Sequence, residues 1–190
     1  MKIGLDLDDV LADGTKKFIE FHNQKYSTNL SLHNIFTYAI SEILGIPEEL
    51  ATERIKEFDK SIFSKKIIPI KGAKKIVQKL SKSNELIVIT ARPKSIEEGT
   101  IAWIKENFPE IKSIFFIYQN YVEKVKTKAD VCLEQGVDLL IEDNLAHAFD
   151  CAKKGIKVLL LNYPWNQLEG KLPDKIQRVK SWEEIKSILG

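Results

Sequence analysis

Three carboxylates crowd the stretch "GLDLDDVL", where Asp6, Asp8 and Asp9 follow a short apolar run near the start of the chain. An acidic strand end can be no more than a solvated turn, because aspartate side chains bond readily to nearby backbone N–H groups. If the run is extended, alternation sends Asp6 and Asp8 to one side and Leu7 to the other, and two hard oxygen donors there could share Mg2+. Alone, the pair does not choose between these readings, and Asp9 need not join them.

Three later segments change the balance. In "LIVITARP", Thr90 closes an apolar run and is followed by Ala91 and Arg92. A hydroxyl and newly exposed backbone N–H groups at such a transition can cradle phosphate, and Arg92 could add charge. In "KTKADVCLEQG", Lys128 stands near the start of a helical pattern, where an ammonium can neutralise phosphoryl charge and restrain a nucleophilic carboxylate. In "DLLIEDN", Glu142 and Asp143 end another apolar run and can complete oxygen coordination of Mg2+.

These groups need a scaffold that gathers the ends of separate runs. The runs are "KIGLDL" at 2–7, "ELIVIT" at 85–90, "SIFFIY" at 113–118, "DLLIED" at 138–143 and "KVLLLN" at 157–162. They lack clean polar alternation, and after residue 70 helical patterns separate them. That arrangement predicts an α/β, Rossmann-like domain of buried parallel strands with crossover helices. In open sheets of this kind ligands bind at the carboxyl ends of the strands. Capping boxes are expected at Ser95–Glu98, with an inner face of Ile96, Thr100, Trp103 and Ile104, and at Ser181–Glu184, before Ile185, Ile188 and Leu189. "GAKKIVQKL" presents Ala73, Ile76, Val77 and Leu80, and the segment 145–154 presents Phe149 and Ala152.

The stretch from 13 to 70 interrupts this rhythm. "KKFIEFHNQKY", "SLHNIFTYAISEILG" and "PEELATERIKEFDKSIF" read as helical or partly helical, the last beginning with Pro47 in a favourable first-turn position. Such a length exceeds an ordinary strand-to-helix connection. The expected division is a core of 1–12 and 71–190 and a small helical cap of 13–70 inserted after the first strand.

Composition bounds the partners. Lys+Arg 29 against Asp+Glu 27 gives a formal charge of +2, so nothing calls for polymeric nucleic acid, and the runs "KGAKKIVQKLSK" and "EKVKTK" read as solvated helix faces. No apolar stretch is long enough to span a membrane. Cys132 and Cys151 lie in apolar or helical contexts and no secretory pattern opens the chain, so a cytoplasmic location is expected. Homo-oligomerisation stays open.

The ordered set Asp6-x-Asp8, Thr90, Lys128 and Glu142-Asp143 resembles the four motifs of the haloacid dehalogenase-like superfamily. "DLDDVLAD", "ITARP", "LIEDN" and "NYPWNQ" at 162–167 are similar to the 5′(3′)-deoxyribonucleotidase branch and its bacterial and archaeal relatives. The resemblance implies strand order 5-4-1-2-3 and Mg2+-dependent phosphoryl chemistry. Asp6 would be the nucleophile forming an aspartyl phosphate, and Asp8 the general acid/base. Thr90, Ala91 and Lys128 would bind the phosphoryl oxygens. Mg2+ would be held by Asp6, by Asp8 through its backbone carbonyl, and by the later acidic pair, with Glu142 direct and Asp143 in the second rank. His147 stands where some variants carry another acid.

The expected substrate is a small phosphate ester, a nucleoside or deoxynucleoside monophosphate. Candidates to contact it are Arg92, Phe18, His22 and Tyr38, with Trp165 and Asn166 near the mouth of the site; Phe21 and Phe36 are further cap aromatics. Taken singly, each apolar cap residue is better read as packing one helix on another, and His22 as a partly exposed polar residue. Dehalogenation has no need of Asp8 or the acidic clamp. A mutase or phosphatase for a sugar phosphate, and a non-catalytic phosphate-metabolite binding protein, remain the alternatives.

Overall fold

The first apolar run forms β1 (Lys2–Leu5), and four later runs form β2 (Glu85–Thr90), β3 (Ser113–Phe116), β4 (Leu139–Glu142) and β5 (Lys157–Leu161). A computed structural model of the chain describes residues 1–117 and 126–190. The last position of the run at 113–118 and the first half of the basic run at 123–128 lie outside the described residues.

A sixth strand, β6 (Ile176–Val179), corrects the expected five-strand order 5-4-1-2-3: the sheet runs β3-β2-β1-β4-β5-β6, or 6-5-4-1-2-3 counted from the other edge. The strand "IQRV" carries no apolar run to announce it. As an edge strand paired only with β5, it leaves Gln177 exposed and Arg178 half-buried between buried Ile176 and Val179. Among the described residues, each of the five strand pairings in this sheet is parallel.

Alternation divides the core between the two faces. Leu86 and Val88 of β2 join Ile3 and Leu5 on one face, under α4 (Ala73–Leu80), α5 (Glu97–Asn107) and α8 (Trp182–Leu189). Ile87 and Ile89 join Leu140, Val158 and Leu160 on the other, under α6 (Lys128–Glu134) and α7 (Leu145–Lys153). On α4 the buried residues are Ala73, Ile76, Val77 and Leu80, as the spacing predicts. On α7 the buried positions are Ala148 and Cys151, with Phe149 and Ala152 only partly covered at their sides.

Helix starts differ from the sequence expectation. A 3₁₀ turn over Lys94–Ile96 takes up Ser95, so α5 begins after Ile96 without a side-chain cap. Ser181 does cap α8, accepting from Glu184 N at 3.4 Å, but the Glu184 carboxylate turns to Lys180 N. A complete box, unforeseen, forms at α6 between Thr127 and Asp130.

Between β1 and α4 the chain forms α1 (Gly14–Tyr26), α2 (Ile40–Leu44) and α3 (Glu48–Lys60), with 3₁₀ turns at Leu32–Asn34 and Ser64–Lys66. Pro47 stands one position earlier than expected, as the N-cap of α3. Phe18 and Phe21 of α1 pack on Phe58 of α3, with ring centroids 5.5 and 5.6 Å apart. The segment leaves and re-enters the sheet domain at one place: Ala12 and Pro69 form an antiparallel bridge, Asp13 N donates to Ile68 O at 2.9 Å, and Ile70 N to Leu11 O at 2.8 Å. No helix among the described residues is long and apolar enough to cross a membrane.

Candidate active site

The central strand supplies the first acid. β1 is paired to β2 on one side and β4 on the other, with Leu5 opposite Val88 and Ile141, so the chain just beyond all three strands converges. Asp6 remains tied to the sheet through its N–H to Ile141 O at 2.9 Å. The loop that follows is fastened from outside, where Trp182 of α8 donates from Nε1 to Val10 O at 2.8 Å.

Asp6, Glu142 and Asp143 are all buried, and one oxygen from each lies within 4.8 Å of the others. Lys128, the first residue of α6 and 1% exposed, lies between two of them: Nζ is 2.8 Å from Asp6 Oδ1 and 2.8 Å from Glu142 Oε2. The second oxygen of Glu142 accepts from Asp143 N at 3.2 Å and Asn144 N at 3.0 Å. Asp143 is held differently, with Oδ2 accepting from Trp165 Nε1 at 2.9 Å and its backbone oxygen accepting from Asn166 Nδ2 at 2.6 Å and from the Tyr38 hydroxyl. Tyr163 stacks on Trp165 at 4.3 Å and donates to Asp9 O at 2.8 Å.

Three buried carboxylates face one ammonium, so the cluster carries an excess of negative charge. Burial, then Glu142, push Asp6 up to about 7 although Lys128 pulls the other way. Burial, followed by Glu142 and Asp6, also raises Asp143. Burial opposes the charge on Lys128, but Asp6 and Glu142 outweigh it and keep the ammonium protonated. A donor set of hard oxygens with surplus negative charge fits Mg2+.

The other expected residues divide. Asp8 does not enter the acidic cluster through its side chain; its carboxylate faces Arg92. Thr90 is 1% exposed and its hydroxyl accepts from Arg92 N at 3.2 Å, while Ala91 and Arg92 reach the wall of a cleft of about 1410 Å³. Asp6, Asp8, Lys128, Asp143, His147 and Trp165 also line this cleft. Glu142 lies behind the wall. From the helical segment, Phe18 and Tyr38 line it.

His22 and Asn166 do not. His22 is on the inner face of α1, fully buried, with its ring nitrogens on Thr28 Oγ1 at 2.8 Å and Arg54 Nη1 at 2.9 Å. Asn166 is equally buried and acts as a strut, bonding Asp143 O and Leu161 O. Phe21 is in the core of the segment, and Phe36 is exposed but off the cleft wall. Asp9 stays out of the acidic cluster: it is buried in the left-handed region at φ 57, and its carboxylate accepts from Thr15 N at 3.1 Å and Thr15 Oγ1. Tyr163 and Thr100 were not foreseen as parts of the site, because no motif spacing connects them to Asp9 or Arg92.

Comparison with known proteins follows the same lines. The family described as "5′ nucleotidase, deoxy (Pyrimidine), cytosolic type C protein" matches residues 1–189. A nucleotidase of Clostridium acetobutylicum is 25% identical over 189 residues, covering 100% of this chain and 93% of that protein. Among solved structures, a haloacid dehalogenase-like hydrolase of Streptococcus pneumoniae superposes with a TM-score of 0.70 at 14% identity, covering 100% of this chain and 98% of its own. Protein Tyrosine Kinase A of Mycobacterium tuberculosis superposes with a TM-score of 0.74 at 13% identity, covering 100% and 97%. At such identities the likeness speaks to the fold, which hosts more than one chemistry.

Proposed function

From the premise that this chain belongs to the deoxy(pyrimidine), cytosolic type C family of 5′ nucleotidases, within the haloacid dehalogenase-like superfamily of hydrolases, we propose a Mg2+-dependent phosphomonoesterase that hydrolyses nucleoside or deoxynucleoside 5′-monophosphates. The observation that carries this reading is the buried meeting of Asp6, Glu142 and Asp143, with Lys128 bonded to the first two.

An oxygen of Asp6 attacks phosphorus, the ester P–O bond breaks, and its electron pair leaves with the sugar oxygen, which Asp8 protonates. Asp8 then takes a proton from water as the water oxygen attacks the aspartyl phosphate. The bond to Asp6 breaks, releasing inorganic phosphate, returning Asp6 to its carboxylate and leaving Asp8 with the proton it needs for the next ester. Lys128 holds Asp6 Oδ1 and offsets the charge of the phosphoryl oxygens, which also meet the turn of Thr90 and Ala91. Bound Mg2+ supplies neutralising charge to the phosphoryl group and the acidic cluster.

Asp143, rather than the expected Glu142, is assigned as the direct ligand beside Asp6. Glu142 accepts from Lys128 at one oxygen and from two backbone N–H groups at the other and lies off the cleft wall, whereas Asp143 reaches that wall. Glu142 then orients Lys128 and the turn below.

The residues 13–70 act as the cap. Phe18, Ile35, Ile40, Ile55 and Phe58 give the cleft an apolar side suited to a planar base. The cleft is larger than the roughly 300–1,000 Å³ of ordinary small-molecule sites, so size alone does not choose the ester.

The test is phosphate release from a panel of nucleoside monophosphates, sugar phosphates and phosphoglycolate with Mg2+, repeated with chelator. Nucleotides are expected to be turned over fastest, with release lost on chelation. Preference for a sugar phosphate would replace the substrate while leaving the chemistry. Binding of the panel without release would remove the hydrolase reading.

A further inference from the structure

The Arg92 guanidinium grips Asp8 on both oxygens, with Nη2 donating to Oδ1 at 2.6 Å and Nε to Oδ2 at 2.9 Å. Two bonds from a planar fork fix the plane of a carboxylate as well as its position, which a lysine at the same place does not do. The fork is itself seated. Nη1 donates to Thr100 Oγ1 at 3.3 Å, and that hydroxyl, on a residue 1% exposed, donates to Ile96 O at 2.8 Å. On its other side Asp8 rests against Gly14, where an added Cβ would come within 3.0 Å of Oδ1. The Arg92 side chain is 14% exposed and that of Asp8 is 44%, so the sheltered partner holds the one that opens to the cleft.

We propose that Arg92, braced by Thr100, is a positioning residue for Asp8 and not a binder of phosphate; this rests on the reading of Asp8 as the acid/base. Three of the five N–H donors of the guanidinium are engaged by Asp8 and Thr100, including the Nε and Nη2 pair that would form a fork to a phosphate. What Arg92 sets is the angle at which the carboxylate meets the leaving oxygen. A sugar oxygen is a poor leaving group and needs its proton as the bond breaks. A p-nitrophenolate leaves without one. A fault in placing the acid therefore slows formation of the aspartyl phosphate, read as kcat/KM, for the first kind of ester and largely spares it for the second, whereas loss of a phosphate contact or of the fold slows both; kcat also contains the hydrolysis step that every ester shares.

The experiment compares thymidine 5′-monophosphate and glycerol 1-phosphate with p-nitrophenyl phosphate, using the full chain with Mg2+. For Arg92→Lys we expect kcat/KM on the alkyl esters to fall roughly 10- to 100-fold, a part of what a general acid contributes. The fall in kcat/KM on p-nitrophenyl phosphate should be several times smaller, with inhibition by inorganic phosphate little changed. Thr100→Val should show the same split at reduced size, and Thr100→Ser, which keeps the hydroxyl, should restore wild-type behaviour. Asp8→Asn is the reference and should show the largest split. If Asp8→Asn lowers kcat/KM on all esters alike, the acid/base reading falls and this inference with it. If Asp8→Asn shows the split and Arg92→Lys does not, or Arg92→Lys weakens inhibition by inorganic phosphate, Arg92 has another role.

Discussion

Asp6→Asn is expected to abolish phosphate release, by about 10⁴-fold or more, because an amide oxygen cannot form the covalent intermediate and no neighbouring group can replace it. Single-turnover phosphate release is the measurement, and turnover within tenfold of the wild type would end the nucleophile assignment. The same substitution should leave the metal-free fold more stable above neutral pH. Asp6 is raised to about 7 in the folded chain from an ordinary 3.8, so the folded state keeps a proton that the unfolded state has lost. Stability of the metal-free wild type therefore falls as pH rises from near 4 to near 7. The loss from this group is on the order of a few kcal/mol, and the Asn variant lacks that slope. Denaturant unfolding in chelator at pH 5 and pH 8 reads it, and parallel slopes for the two proteins would contradict the charge crowding.

Lys128→Met should damage both fold and catalysis. The ammonium is bonded to Asp6 and Glu142 at 2.8 Å each and has almost no contact with solvent. Removing one partner from a buried ionic group leaves uncompensated charge and costs about 3–5 kcal/mol. Turnover should fall roughly 10²–10³-fold, the scale for losing a fixed group that stabilises transition-state charge. Adding Glu142→Gln removes one stranded carboxylate, so the double variant should regain part of the stability and none of the activity. A Lys128→Met protein as stable as the wild type would mean that the acids shed their charge at little cost.

The acidic cluster was legible because its members stand at fixed places in the chain, directly after apolar runs that cannot help but form strands. Once β1, β2 and β4 pair, Asp6, Thr90 and Glu142 must gather, and Lys128 follows from the helix that opens over them. What each side chain does on arrival was not legible. Glu142 reads as a ligand by type, and only the structure shows Lys128 on one of its oxygens and two backbone N–H groups on the other. Arg92 reads as a phosphate anchor because it follows Thr90, yet its fork closes on Asp8, 84 positions away. His22 reads as a candidate for substrate and Phe21 as a further cap aromatic, but Thr28 and Arg54 enclose the first and Phe58 and Phe63 the second, partners that the sequence of α1 does not name. β6 was missed because a short edge strand with polar middle residues has no pattern of its own.

The paired crossings at Ala12 and Pro69 bear on how such a chain can diversify. The helical segment begins and ends side by side, stitched by Asp13 to Ile68 and Leu11 to Ile70, so its span is fixed by its base and not by its contents. Doubling the length of a loop whose ends are held together costs only about 0.6 kcal/mol in closure entropy. Material between the crossings can be lengthened, shortened or exchanged with little strain on the strands beneath. Selection for a different ester can therefore act on the inserted helices while the reacting carboxylates keep their spacing.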